Sequence, residues 1–372
     1  MRHGHRSRAA FRPLFRKSPK PLVEAVLFVA GYEFDSEPPE RHPKIVHHAV
    51  ERSKHLVNRF EQSFLNAILR KLPAAIASID ESTAPADFYS HPEWLVAHWM
   101  HAFGEPDTRA LLRWNQAIPE QTIRLYERPG RLPEFLEPTE WQGFYRISRS
   151  ANWAEQVAPL LNSGKAYIKD PSTRIAPALL APRPGADVLD LCAAPGGKSY
   201  DLADQMQYAG RLVSVDLPGK RIARLKANLS HLPATDLDKH VVECDVLRLE
   251  PATFEPQELP SLYDAVMLDA PCSNTGVIQR RTDVKWRIRP KDIAQCARLQ
   301  SELLMAAAAF VKPGGRLVYS TCSIEHEENR AVIARFLESE SGRQFAELDA
   351  AISLPWQSGH DGAGAFLLER SA

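Results

Sequence analysis

One short stretch, residues 187–199, constrains the fold of this chain more than any other. Its sequence is DVLDLCAAPGGKS, an apolar run followed by small residues and two adjacent glycines. The apolar run predicts a buried strand, and the small residues let the backbone turn sharply into a helix. In open α/β sheets such a turn lies at the carboxyl end of the strands, where ligands bind. The stretch therefore predicts a strand, a glycine turn and a helix that border a ligand site.

Three more apolar segments follow, and each of the four predicted strands runs to an aspartate. These aspartates are Asp190, Asp216, Asp245 and Asp269. A single aspartate after an apolar strand is usually ordinary turn chemistry. Four in succession beside a glycine turn favour a ligand that contains adenosine, with Asp216 at the spacing of a carboxylate that binds ribose hydroxyls. A phosphate-binding P-loop is disfavoured because Cys192 stands where that motif requires a glycine.

Length and composition limit the class of protein. A chain of 372 residues exceeds one typical domain. Lys+Arg and Asp+Glu number 46 each, so the overall charge predicts no partner. No long apolar run or signal peptide is evident, and we expect a soluble cytoplasmic protein with no membrane contact. The five cysteines are widely spaced and form no CxxC pair, which predicts free thiols rather than disulfides or a metal site.

Patterns along the chain predict three parts. Residues 1–74 have the periodicity of a helical domain, and residues 75–165 form a connecting region with short helices and strands. In residues 166–372, strands alternate with helices, which predicts a mostly parallel, doubly wound sheet.

Two segments are markedly basic. Residues 1–20 carry seven cations and no acid, which predicts either a solvated tail or a contact to phosphate. Residues 280–291 carry six cations, opposed by Asp283 and by the adjacent Asp292, and follow a strand end, so we favour a contact to nucleic acid there over a merely solvated loop.

Two cysteines follow predicted strand ends. Cys272 lies in the sequence DAPCSNTG of residues 269–276, and Cys322 lies in the sequence STCS. In a doubly wound sheet these two ends and the glycine turn can face one crevice. A buried structural cysteine is the usual alternative, and we accept it for Cys244 and Cys296. For Cys272 and Cys322 the position at a strand end favours a chemical role.

These motifs together resemble the RsmB/Nop2/NSUN group of RNA cytosine-C5 methyltransferases, which use S-adenosylmethionine. The resemblance covers roughly residues 165–372. It rests on CAAPGGK at 192–198, DAPCSNTG at 269–276, DVKW at 283–286, TCS at 321–323 and EEN at 327–329. The front portion, with FLNAILR at 64–70, looks like a shortened form of the NusB-type RNA-binding domain of the RsmB branch. The resemblance implies a Rossmann-like class I methyltransferase domain behind an all-helical, NusB-like domain.

The resemblance also implies catalytic roles. Carbon 5 of cytosine is a poor nucleophile, so a thiolate must first add to carbon 6, and cysteine provides that covalent route. By resemblance Cys322 is the nucleophile, and Cys272 assists the later elimination of the enzyme. Asp269 would hydrogen-bond the N3/N4 edge of the base, and Lys198 would bind its polar edge or favour the thiolate.

For the cofactor, the resemblance implies S-adenosylmethionine at the strand ends and no metal. Asp216 would bind the ribose hydroxyls, Asp245 would lie near the adenine, and Arg221 and Asp269 would also lie on the cofactor side. The turn would surround the methionine moiety and ribose with the backbone of Cys192, Ala193, Ala194, Pro195, Gly196, Gly197 and Lys198.

The resulting prediction is a monomeric enzyme that makes 5-methylcytosine in small-subunit rRNA. DNA cytosine-C5 methyltransferases also have a Pro-Cys loop but use that cysteine as the nucleophile, and the second cysteine, Cys322, favours RNA. A second alternative is a non-catalytic RNA-binding ribosome assembly factor on a methyltransferase fold. Loss of Cys322 or of the glycine turn would indicate that alternative, and both are present.

Overall fold

A computed structural model gives the structure of residues 2–127, 130–233 and 235–372. Within these ranges, no helix combines the length and the apolar character needed to cross a membrane. The chain divides into two compact units. We call them the helical unit and the sheet unit.

The helical unit comprises Met1–Ile118 and Ile278–Arg287. Its α-helices are Gly4–Phe11, Pro21–Ser36, His42–Ser53, Arg59–Ala77, Pro85–Phe88, Glu93–Gln116 and Val284–Arg287. Asn58 caps the N-terminus of the helix Arg59–Ala77 in a capping box. Its side chain accepts a hydrogen bond from the Glu61 backbone amide, and the Glu61 carboxylate accepts one from the Asn58 backbone amide.

The unit boundary differs from the domain boundaries expected at residues 74 and 165. The proline-rich signal near Pro73 does not end a domain, because Pro73 lies inside the helix Arg59–Ala77. The helix Glu93–Gln116 belongs to the helical unit, and its backbone breaks at Gly104, where φ is +78°. This break explains why the sequence pattern there resembles two short helices.

The basic N-terminal segment is folded, which corrects the expectation of a solvated tail, whereas a contact to phosphate stays a prediction. Residues Gly4–Phe11 form a helix whose Phe11 side chain is buried. Two of its cations have acidic partners within the unit: Arg6 pairs with Asp35 at 3.2 Å, and Arg8 pairs with Glu24 at 2.7 Å. Apolar burial and ion pairing therefore account for this helix.

The expectation that the second basic segment, residues 280–291, contacts nucleic acid is corrected for one of its residues. Lys285 is fully buried in the helical unit, and its ammonium donates a hydrogen bond to the carbonyl of Arg2 at 3.2 Å. Burial, together with the charge of Arg2, lowers the pKa of Lys285 to about 7. Lys285 is therefore placed as a buried structural group and not as a contact to nucleic acid.

The sheet unit comprises Pro119–Val277 and Ile288–Ala372. Its strands are β1 Thr122–Leu125, β2 Leu136–Pro138, β3 Phe144–Ile147, β4 Ala166–Ile168, β5 Asp187–Leu191, β6 Gly210–Asp216, β7 Leu237–Glu243, β8 Tyr263–Asp269, β9 Val311–Thr321, β10 Phe345–Ser353 and β11 Ala363–Arg370. Its α-helices are Ala158–Asn162, Ile175–Leu180, Gly197–Gln205, Lys220–Ser230, Pro290–Ala308, Arg330–Glu338 and Pro355–Ser358.

The strands form two sheets. The small sheet has the order β2-β3-β1-β4 and is antiparallel. The large sheet has the order β10-β11-β9-β8-β5-β6-β7. Its strands β5 to β9 pair in parallel, whereas β10 and β11 add an antiparallel edge. The strand order reverses at β5, between β8 and β6, and ligands bind outside such a switch point in open α/β sheets.

Helices cover both faces of the large sheet, which confirms the predicted doubly wound fold. Val188 and Leu212 face one side and pack with the helices Ile175–Leu180, Gly197–Gln205 and Lys220–Ser230. Leu189 and Val213 face the other side, which the helices Pro290–Ala308 and Arg330–Glu338 cover. Because successive side chains in a strand alternate between faces, strands buried on both sides have continuous apolar sequences.

Candidate active site

The glycine turn connects β5 to the helix Gly197–Gln205, as predicted. Cys192 and Gly196 both have positive φ, at +60° and +103°. A Cβ atom at Gly196 would lie 3.0 Å from Leu225 Cδ1, so residue 196 has little room for a side chain as well as an unfavourable backbone conformation for one. The turn brings the first amides of the helix to the carboxyl edge of the sheet, where they have no partner inside the helix.

Asp216, at the end of β6, holds this turn in place. Its carboxylate accepts hydrogen bonds from the Ala194 amide and from the Leu217 amide, both at 2.8 Å. Arg221 reaches the same turn and donates to the Ala194 carbonyl at 2.5 Å. A carboxylate oxygen has two acceptor positions, so Asp216 can orient the turn and still bind hydroxyl groups.

Two more of the four predicted strand-end aspartates, Asp245 and Asp190, differ in their positions. Asp245 lies two residues beyond β7, where its carboxylate accepts a hydrogen bond from the Leu247 amide at 3.0 Å. Asp190 lies inside β5 and not at its end, so the prediction that it terminates the strand is wrong. Its side chain is buried and accepts a hydrogen bond from the Ser199 hydroxyl at 2.5 Å. Asp190 therefore connects β5 to Ser199, in the helix that follows the glycine turn.

The two strand-end cysteines lie together. The Sγ atoms of Cys272 and Cys322 are 3.2 Å apart, and both cysteines are free thiols. The Cys322 thiol also donates to the side-chain oxygen of Asn274 at 3.3 Å, and the side-chain amide nitrogen of Asn274 donates to the Cys272 carbonyl at 2.7 Å. This arrangement follows from the topology, because β8 and β9 are parallel neighbours and both cysteines lie just beyond their carboxyl ends.

A second pair of charged side chains lies at the same edge. The Lys198 ammonium forms an ion pair with Asp269, and the Ser320 hydroxyl donates to the same carboxylate at 3.0 Å. Burial lowers the pKa of Lys198 but Asp269 raises it, and the net result is a raised pKa. Cys322 also contributes to this rise.

The pKa of Cys272 is raised well above its ordinary value. The main cause is the hydrogen bond with Cys322, and burial and the charge of Glu328 add to it. Cys272 therefore keeps its proton beside Cys322. The structure brings together all four predicted catalytic side chains as two contacting pairs, Cys272 with Cys322 and Lys198 with Asp269.

Comparison with known proteins shows the family. The family model described as 16S rRNA methyltransferase RsmB/F matches residues 177–361. The chain is 32% identical over 336 residues to the probable ribosomal RNA small subunit methyltransferase B of Bacillus subtilis, a match that covers 86% of this chain and 73% of that protein. The chain belongs to the RsmB/F methyltransferase family. The resemblance inferred from the motifs, and the prediction of a methyltransferase enzyme, are thereby confirmed.

Other relatives of this RsmB/F family member differ in how much they share with it. The ribosomal RNA small subunit methyltransferase B of Proteus mirabilis is 35% identical over 262 residues, which cover 68% of this chain and 59% of that protein. Among solved structures, the crystal structure of PH0851 aligns with a TM-score of 0.72 and 25% identity, over 94% of this chain and 82% of that chain.

In this family member, sequence reasoning missed the residues that hold the two cysteines in place. Glu328 is buried and accepts hydrogen bonds from both cysteine loops, through the Ser273 amide at 2.9 Å and the Ser323 hydroxyl at 2.8 Å. The signal was present, because the run of residues 327–329 helped to identify the family and a serine follows each cysteine. Only the structure shows that these residues meet.

Proposed function

We propose that the protein is an S-adenosylmethionine-dependent methyltransferase that methylates carbon 5 of cytosine in small-subunit rRNA. The observation that carries this proposal is the 3.2 Å separation of the Cys272 and Cys322 sulfurs beside the Lys198–Asp269 pair. Two thiols in one crevice suit a reaction that both forms and breaks a covalent bond to a base. The names of the relatives support small-subunit rRNA as the substrate.

The residues of the glycine turn suit S-adenosylmethionine. Gly196 leaves space in the turn where a Cβ atom would lie only 3.0 Å from Leu225 Cδ1, and Asp216 and Asp245 offer carboxylates to hydroxyl and amino groups. When bound, S-adenosylmethionine supplies the methyl group from a sulfonium cation. Carboxylates around a cationic donor balance its charge, so a metal is not required for that purpose.

The catalytic residues act on the base in sequence. The Cys322 thiolate adds to carbon 6, so that a sulfur–carbon bond forms and the ring electrons become available at carbon 5. Asp269 hydrogen-bonds the N3/N4 edge and stabilises the protonated ring during this addition. After the methyl group is transferred, the proton on carbon 5 passes to solvent, and the electron pair of that carbon–hydrogen bond forms the C5–C6 double bond. The sulfur–carbon bond breaks with its electron pair on sulfur, so Cys322 leaves as a thiolate.

The environments of the two thiols support this division of roles. Cys272 holds its proton because its pKa is raised, which leaves it unsuited to the first attack. Lys198 lies at the same edge, and its raised pKa, to which Cys322 contributes, keeps a cation at the site. A protonated Cys272 can hydrogen-bond the Cys322 sulfur and assist the elimination that releases the product.

Trapping of the covalent intermediate tests the proposal. With S-adenosylmethionine and small-subunit rRNA, Cys272→Ala should accumulate an RNA adduct on a denaturing gel, whereas Cys322→Ala should form none. Cys296→Ala is the matched control, because Cys296 lies in the helix Pro290–Ala308 and should behave as the wild type. Methylation by Cys322→Ala at the wild-type rate would show that the assigned roles are wrong.

The same variants separate the enzyme from the assembly-factor alternative. RNA binding by the wild type without methylation or adduct formation in any variant would favour a non-catalytic factor. Bisulfite sequencing of rRNA from cells with and without the gene should then locate the methylated cytosine.

A further inference from the structure

We infer that Glu328 is a positioning residue that fixes Cys272 and Cys322 relative to each other. The inference rests on the proposed two-cysteine reaction and adds a residue to it. One carboxylate lies between the two cysteine loops: Oε2 accepts from the Ser273 amide at 2.9 Å, and Oε1 accepts from the Ser323 hydroxyl at 2.8 Å. Because Ser273 and Ser323 directly follow the cysteines, Glu328 connects the two loops one residue from each sulfur.

Glu328 is itself held firmly. Its side chain is fully buried, and Gln300 donates both to Glu328 Oε2 and to the Pro271 carbonyl, each at 2.9 Å. The Tyr319 hydroxyl donates to the Glu328 carbonyl at 2.6 Å. Gln300 thus adds a third connection to the Cys272 loop. A residue fixed through both its side chain and its backbone can determine the position of the groups that bind it.

The two loops also touch each other directly around this carboxylate. The hydroxyls of Thr275 and Ser323 are 3.2 Å apart, and the Ile324 amide donates to the Thr275 hydroxyl at 3.2 Å. Asn329, the residue after Glu328, donates to the Ser323 carbonyl at 3.0 Å. The Cys322 loop is therefore held between Glu328, Thr275 and Asn329, and movement of Glu328 would alter the distance between the sulfurs.

The charge of Glu328 has a separate effect from its geometry. Its side-chain partners described above all donate hydrogen bonds, an arrangement that suits a carboxylate, although burial raises the pKa of Glu328. Its negative charge is one of the causes that raise the pKa of Cys272. Glu328 therefore both positions the thiols and helps Cys272 to retain its proton.

Two substitutions separate these effects. In Glu328→Gln, the amide oxygen can still accept from Ser273 and Gln300 and the amide nitrogen can donate to the Ser323 hydroxyl, but the charge is lost. We expect adduct formation close to the wild-type rate, and a pH profile of product release that moves to lower pH, because the loss of the negative charge removes one of the causes that raise the pKa of Cys272. Glu328→Ala also removes the hydrogen bonds, and we expect adduct formation to slow roughly 100-fold.

Glu338→Gln is the matched control, because Glu338 is exposed at the end of the helix that follows Glu328. It should match the wild type in adduct formation and release. Circular dichroism and S-adenosylmethionine binding check that Glu328→Ala is folded, and Glu328→Gln tests the inference even if Glu328→Ala is not. Equal rate losses at every pH in both Glu328 variants, or wild-type behaviour in both, would overturn the inference.

The cysteine variants, run in parallel, distinguish the two possible failures. Adduct formation by Cys322→Ala would refute the proposed reaction whatever the Glu328 variants show. If Cys272→Ala traps the adduct, Cys322→Ala does not, and both Glu328 variants behave as the wild type, then only the role of Glu328 is refuted.

Discussion

Replacement of the buried carboxyl group Asp190 by asparagine should make the stability of the sheet unit less dependent on pH. Asp190 is fully buried beneath the glycine turn, and burial raises its pKa from an ordinary value of 3.8 to about 7. The nearby charges of Asp269 and Asp216 act in the same direction, whereas the hydrogen bond from Ser199 opposes them. Within the described residues, its Oδ1 atom has no hydrogen-bond partner.

The sign follows from proton linkage. A carboxyl group with a raised pKa binds its proton more tightly in the folded state, so stability falls as pH rises from the unfolded pKa towards the folded one. With a pKa of 3.8 in the unfolded state and about 7 in the folded state, ionisation of Asp190 lowers the free energy of unfolding by roughly 2 to 3 kcal/mol between pH 5 and pH 8. Asparagine cannot ionise, and its side-chain oxygen can still accept the Ser199 hydrogen bond.

The assay is urea denaturation of the full chain at pH 5 and at pH 8. Hydrogen-exchange mass spectrometry of peptides from β5 and β6 restricts the measured free energy of unfolding to the sheet unit. Between pH 5 and pH 8, the free energy of unfolding of Asp190→Asn should rise by roughly 2 to 3 kcal/mol relative to that of the wild type. Asp349→Asn, an exposed control in β10, should show no such gain. An identical pH dependence in Asp190→Asn and the wild type would refute the reasoning.

Two further predictions concern the glycine turn. Gly196→Ala should weaken S-adenosylmethionine binding roughly 5- to 150-fold, because a side chain at a φ of +103° introduces a strain of about 1–3 kcal/mol. Titration calorimetry measures the affinity, and the control Gly314→Ala, where φ is +71° and no atom lies within 4 Å of the added Cβ, should bind normally. Equal affinity in both variants would contradict this prediction. Lys169→Met should destabilise the sheet unit by about 3–5 kcal/mol in urea denaturation, because it leaves the buried Asp201 carboxylate without the ammonium that lies 2.6 Å away and removes a hydrogen bond to the Gly197 carbonyl. Adding Asp201→Asn should recover part of this loss of stability. If the double variant recovers none of it, the ion pair is not the cause.

The parallel strands and the glycine turn were predictable because their signals are local. A strand buried on both faces is a continuous apolar run, which is why the positions of β5, β6 and β8 could be predicted. The turn was predictable for a similar reason, since a positive φ and a close contact at Gly196 leave glycine as the suitable residue.

The basic segments show where local signals fail. A run of cations does not show which acids lie beside it, and the partners of Arg6 and Arg8 are Asp35 and Glu24 in the following helix. Lys285 lies in a basic sequence and is nevertheless fully buried. Burial and pairing depend on how helices pack together, and composition does not contain that information.

By itself, the sequence determined the sheet, its glycine turn and the placement of two cysteines at strand ends, because each depends on residues adjacent in the chain. Only the tertiary structure decided that Cys272 and Cys322 lie 3.2 Å apart and that Glu328 lies between their loops. Cys272 and Cys322 are 50 residues apart in the chain, and they meet because β8 and β9 are parallel neighbours. Such a meeting depends on strand order, which is a property of the whole sheet and not of any one segment.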